Sequence, residues 1–147
     1  MDTIHLKKML DTCFLAKKIV ETLPELPKGM KPRHIHVLDA VYEMTGQKGS
    51  CTVSDVRDYM NITMPSISKL LQELEGFGLL QKQPVQEDKR YYQLTLTQPG
   101  MDCVKKHVTD FHQEWVSRLS HIDNQQVEET LYLFQELKDT MPGGEQS

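Results

Sequence analysis

Between residues 63 and 90 the chain carries two groups of polar side chains whose types and spacing suit contact with a polyanion. Projected at about 3.6 residues per turn, residues 64–77 split into two faces. Ile67, Leu70, Leu71, Leu74 and Phe77 form an apolar face that must be buried, and Met64, Pro65, Ser68, Lys69 and Gln72 form the other. All of the second set but Gln72 lie in the first two turns, the part of a recognition helix that meets base edges in the major groove. There Lys69 can reach a guanine edge or a phosphate, Gln72 can pair with adenine, and the Met64 thioether suits a thymine methyl. Glu73 and Glu75 sit toward the far end, where the groove falls away. The second group is Lys89 and Arg90, in the charged run Gln86–Arg90, with Asp88 placed to brace Arg90 by a charge-assisted bond. Such a tip can reach phosphates or the minor groove, whose negative potential draws Arg.

Other chemistry finds less support. His34 and His36 are two apart and point to different sides of a helix. His107, Asp110 and Glu114 share a face, but it is the polar face of a long helix and reads as solvated surface, while His112 flanks an apolar seam. No His-x3-His or HExxH spacing occurs, so neither a metal nor another cofactor is expected. Cys13, Cys51 and Cys103 are far apart and read as reduced thiols, Cys13 as a small hydrophobe on a buried stripe. A Gly-rich phosphate loop and a GxSxG elbow are both missing, so the chain is not read as an enzyme.

The elements that must position the two groups follow from periodicity. Apolar residues from Leu6 through Leu10, Cys13 and Val20 predict a helix over Thr3–Leu23, stopped by Pro24 and Pro27. A short helix over His34–Met44 should bury Ile35, Leu38, Val41 and Tyr42 and end at Gly46 and Gly49. Thr52 caps a third helix that points Val53, Val56, Tyr59 and Met60 inward and stops at Asn61. Thr63 caps the next after only a few residues, with Pro65 tolerated in its first turn, which makes a helix-turn-helix. Two strands, Leu79–Val85 and Tyr91–Leu96, then flank the charged tip as a hairpin. A long helix from about Met101 to His121 carries Val104, Val108, Phe111, Trp115 and Leu119 as a narrow seam, and Asn124 opens a last helix with Leu131 and Phe134 inside. The fold class expected is mainly α (α+β): a winged helix at 34–100, helical dimerisation segments at 1–33 and 101–142, and a disordered tail at 143–147.

Composition permits this reading. With 38% apolar and 26% charged residues in 147, the chain suits one domain with a core. No apolar run is long enough for a membrane span, and MDTIHLKKML lacks the apolar core of a signal peptide, so a cytoplasmic protein is expected. The net charge of −4 opposes phosphate binding, but it is unevenly spread. Residues 1–33 carry seven Lys/Arg against four Asp/Glu, and residues 101–147 carry four against nine, so the acid is concentrated away from the helix-turn-helix.

The runs Ser54–Thr63 and Ser66–Leu80, and the wing Asp88-Lys89-Arg90 leading into Leu94–Gly100, resemble the multiple-antibiotic-resistance regulator (MarR) family. Met64 and Pro65 stand where members commonly carry small polar or basic residues, and Lys89 where an Arg is often found. The resemblance implies a homodimeric regulator, usually a repressor, that binds double-stranded DNA and releases it when a small effector acts on the helical region. Together with the residue reading it gives a DNA-contacting set of Arg57, Thr63, Met64, Pro65, Ser66, Ser68, Lys69, Gln72, Lys82, Asp88, Lys89 and Arg90. The dimerisation set is Leu6, Leu10, Val108, Phe111, Trp115, Leu119, Leu131 and Phe134. The alternative of another class is a winged helix used only for protein–protein contact.

Overall fold

The computed structural model describes residues 1–141; the tail expected at 143–147 lies outside the described residues. Helix α1 (Thr3–Thr22) is followed by α2 (Pro32–Lys48), α3 (Val53–Met60), α4 (Met64–Gly76) and the hairpin β1 (Leu80–Pro84) and β2 (Tyr92–Leu96). Helix α5 (Gln98–Val104) then passes through a π-helical segment (Lys105–Asp110) into α6 (Phe111–Arg118), and α7 (Asn124–Thr140) completes the described chain. This is the mainly helical winged helix expected.

The core is built on α2. Val37, Leu38 and Val41 are fully buried, and α3, α4, α5 and β2 all pack against this helix. Val56 from α3, Ile67, Leu71 and Leu74 from α4, and Leu94 from β2 complete the centre, each burial stabilising by about 1.5–3 kcal/mol. Helix α2 starts two residues earlier than expected, because Pro32 at its first position has no amide to leave unpaired. It also runs through Gly46, where a lone glycine costs only about 1 kcal/mol, and stops at Gly49, whose φ of 82° requires glycine.

Local signals set the helix-turn-helix. Thr52 Oγ1 accepts from the Asp55 amide and the Asp55 carboxylate accepts from the Thr52 amide, a reciprocal cap. Asn61 takes the left-handed conformation at φ 52° and lets the chain turn within three residues into α4. Tyr42 and Tyr59 lie outside the core, 46% and 54% exposed, because each falls at the rim of a helix face whose centre is filled by aliphatic residues. Phe77 is also half-exposed, since it caps α4 instead of continuing it.

The hairpin pairs Leu80 with Leu96 and Pro84 with Tyr92 in antiparallel register. Of the alternating residues in β2 only Leu94 is buried, because a two-stranded wing has one short covered stretch. That stretch is anchored by a third strand segment: Leu94 N donates to the Cys51 carbonyl at 2.8 Å, and Thr52 bridges Gln93.

The long helix begins at Gln98, not Met101, with Thr97 Oγ1 accepting from the Gly100 amide. Gly100 is buried where a Cβ would run into the Leu79 carbonyl oxygen, so this helix and the turn between α4 and β1 meet backbone to backbone. The π-helical turn, spanned by the ion pair of Lys105 and Asp110 at 2.8 Å, departs from the expected 3.6 periodicity. His107 lies in this turn, and its imidazole is buried instead of solvated. Replacing Gly100 with Ala is expected to destabilise the domain by about 1–3 kcal/mol through overpacking, read as a lowered urea midpoint at unchanged slope. An unchanged midpoint would refute the close approach.

Candidate nucleic-acid interface

Thr63 and Ser66 set the start of α4. The Thr63 hydroxyl oxygen accepts from the Ser66 amide at 3.3 Å and its proton goes to Ser66 Oγ at 3.0 Å. Beyond this cap Met64, Pro65, Ser68, Lys69 and Gln72 are all exposed on one side of α4, opposite the buried Ile67, Leu70, Leu71 and Leu74. Among the described residues Ser68, Lys69 and Gln72 have no hydrogen bond or ion pair, which leaves their donors available. Arg57 lies behind them on α3, paired with Asp58 at 2.9 Å.

The wing is preorganised. Arg90 Nη2 donates to Asp88 Oδ2 at 2.7 Å, Nε donates to Oδ1 at 2.9 Å, and the Arg90 amide also donates to Oδ1 at 3.1 Å. The fork holds the Asp88 carboxyl below its ordinary pKa, first through the side-chain bonds of Arg90 and then through its backbone. Arg90 remains 83% exposed, so the brace orients the guanidinium without burying it. Lys82 Nζ stands 4.5 Å from the Tyr92 ring centroid, and Lys89 is exposed at the tip. The structure thus places Ser68, Lys69, Gln72, Lys89 and Arg90 on the exposed parts of the helix and wing, where the sequence put them.

A cavity of about 890 Å³ lies between the end of α1, the first turns of α2, and the π segment with α6. Its walls are largely apolar, with Ile19, Val20, Leu23, Ile35, Val108, Phe111, Trp115 and Leu119, and Arg33, His36, Asp39, His107 and His112 supply the polar groups. Burial raises the Asp39 carboxyl above its ordinary range, Glu43 adds to this, and His112 and His36 oppose it. Val108, Phe111, Trp115 and Leu119, read from sequence as a seam, therefore face this cavity within their own chain. His107, Asp110 and Glu114 border a separate hollow with Pro24 and Pro27, and among the described residues no three His, Cys, Asp or Glu side chains could together hold a metal. Cys51 is fully buried and its thiol is pushed up to about 11, mainly by burial and then by Asp55; Cys13 is half-exposed, not buried as its stripe suggested.

Residues 28–90 match the model of the MarR family. That match spans α2, the helix-turn-helix and the wing as far as Arg90. The whole described fold is similar to solved MarR-type regulators. Staphylococcus aureus MepR in its DNA complex aligns at TM-score 0.70 and 18% identity, covering 97% of this chain and 100% of that one. Streptococcus pneumoniae FabT in complex with DNA aligns at 0.70 and 21%, covering 95% and 100%. Bordetella bronchiseptica BpsR, whose DNA binding is regulated by 6-hydroxynicotinic acid, aligns at 0.67 and 18%, covering 92% and 99%. At these identities the likeness is one of fold. A comparison with curated proteins gives no match.

Sequence reasoning missed two features of this domain, the bonding of His34 and the burial of His107. Burial, and secondarily Lys106, lowers the His107 pKa below 6.5. The folded state then binds this proton less readily than the unfolded chain, so its contribution is complete above 6.5 and is lost as pH falls toward the lowered value. The urea midpoint should fall between about pH 7 and pH 5, and His107→Asn should flatten that slope. An identical slope in the variant would contradict the assignment.

Proposed function

We propose that this protein is a sequence-specific regulator of transcription that binds double-stranded DNA as a homodimer and is released by a small effector. The observation that carries the DNA part is the pairing of an unengaged polar face on α4 with a wing whose Arg90 is held outward by Asp88. In this reading Ser68, Lys69 and Gln72, with Met64 and Pro65, meet base edges, and Arg90, Lys89, Lys82, Arg57, Thr63 and Ser66 meet or orient toward the backbone. The DNA complexes of MepR and FabT, on the same fold, favour this over a protein–protein module.

Two further observations support the dimer and the effector. Neither α1 nor α7 buries a residue, and Ile4, Leu10, Phe14, Leu15, Ile19, Val20, Leu131 and Phe134 are at least 40% exposed. Apolar surface on that scale calls for cover, and a second copy supplies it by pairing Leu6, Leu10, Leu131 and Phe134 across the two-fold. The cavity, largely apolar with Arg33 and Asp39 among its few polar groups, suits a small apolar molecule with a polar group to meet them. The protein acts by binding and needs no catalytic group.

Selection from random duplexes should return a pseudo-palindrome with half-sites about one helical turn, ~10 bp, apart, bound by a dimer. A single half-site bound by a monomer would overturn the reading. Arg90→Ala should weaken operator and random DNA alike and make the salt slope shallower by about one unit per lost contact, about two per dimer. If that variant kept its random-DNA affinity and slope while losing the operator, the wing would be reading sequence.

A further inference from the structure

We propose that His34 is the positioning residue of the recognition helix, acting through Glu73, and that the turn of α2 carrying it is where filling of the cavity acts on DNA affinity. The proposal rests on the regulator reading above. His34 is fully buried, and both ring nitrogens are engaged. The Lys31 amide donates to Nδ1 at 2.9 Å, which leaves the proton on Nε2, and Nε2–H donates to Glu73 Oε2 at 2.6 Å. The imidazole also meets Phe77, the cap of α4, edge to face at 5.5 Å between centroids. One buried side chain therefore ties the start of α2 to two residues of the last turns of α4. Glu73 follows Gln72 directly, so the bond fixes the rotation of the face that meets DNA and keeps a carboxylate away from phosphate.

The neighbours of His34 face the other way. Pro32, Arg33, Ile35 and His36 line the cavity, and the His36 ring lies 5.7 Å from Tyr59 of α3. A single turn thus touches the cavity, α3 and α4. Losing the Glu73 bond would strand a buried imidazole donor, which is costly in a low-dielectric interior. A molecule that displaces this turn therefore carries α4 with it, and the two recognition helices of a dimer leave register with their half-sites.

The test measures affinity of the full chain for its selected operator and for random duplex, with urea unfolding of every variant. Glu73→Ala should lose about tenfold on the operator and leave random-DNA affinity unchanged, because the wing contacts survive. Glu73→Gln, whose amide oxygen still accepts from Nε2–H, should keep operator affinity within about threefold, a rescue that loss of fold stability does not predict. Val108→Phe, which fills part of the cavity, should weaken operator binding in the otherwise unchanged chain and add less than about twofold in the Glu73→Ala background. Unchanged operator affinity in Glu73→Ala, an equal loss on random DNA, or the same Val108→Phe effect in both backgrounds would each overturn the proposal. Failure of the unaltered chain to select any duplex would instead overturn the regulator reading, before any variant is compared.

Discussion

Burial of α2 is the constraint on which the rest of the molecule depends. Six of its residues, His34, Ile35, Val37, Leu38, Ala40 and Val41, are enclosed, so the apolar stripe is wide and neighbours must cover it from several directions. Helices α3 and α4 cover one part, and β2 and α5 another. The short turn at Asn61 follows from this, because two amphipathic helices sharing one partner have little room between them. So does the Gly100 contact, where the helix after the wing reaches the core only by approaching Leu79 without a side chain between.

On that base the candidate nucleic-acid surface is assembled from parts held in place within the chain itself. Caps at Thr52 and Thr63 fix the starts of α3 and α4, and the Asp88 carboxylate fixes the guanidinium at the wing tip. Preorganisation matters here because the chain is acidic overall and cannot rely on a general positive field. In the proposed reading a few well-aimed cations do what net charge does in a basic protein. The buried His34 adds the same kind of order to the far end of α4, and it leaves no buried side-chain polar atom unpaired among the described residues.

The terminal helices follow another logic. Helix α1 carries a long apolar stripe, yet none of it is buried within the chain, and α7 is the same. An isolated helix gains little from propensity alone, so such stripes need a partner surface to hold them. The winged helix is complete in one chain; the helical segments around it are not.

The sequence alone determined the helix-turn-helix, the wing and the candidate contact face. Caps, short turns and a sharp split of α4 into apolar and polar sides are local features, and locality is what periodicity reads. Ile67, Leu70, Leu71 and Leu74 are buried for the reason their spacing gave, and Arg90 meets Asp88 because only Lys89 stands between them. Tertiary structure decided what depends on distant neighbours. His34 and Glu73 lie 39 positions apart, and only the packing of α2 on α4 brings them to 2.6 Å. His107, read on a polar face, is buried, since distant segments carrying Pro27, Met30 and Leu79 come to the same side of its helix. The cavity behind α2 was invisible for the same reason: its walls come from three segments, and most of its apolar wall residues, read alone, are ordinary members of an apolar stripe.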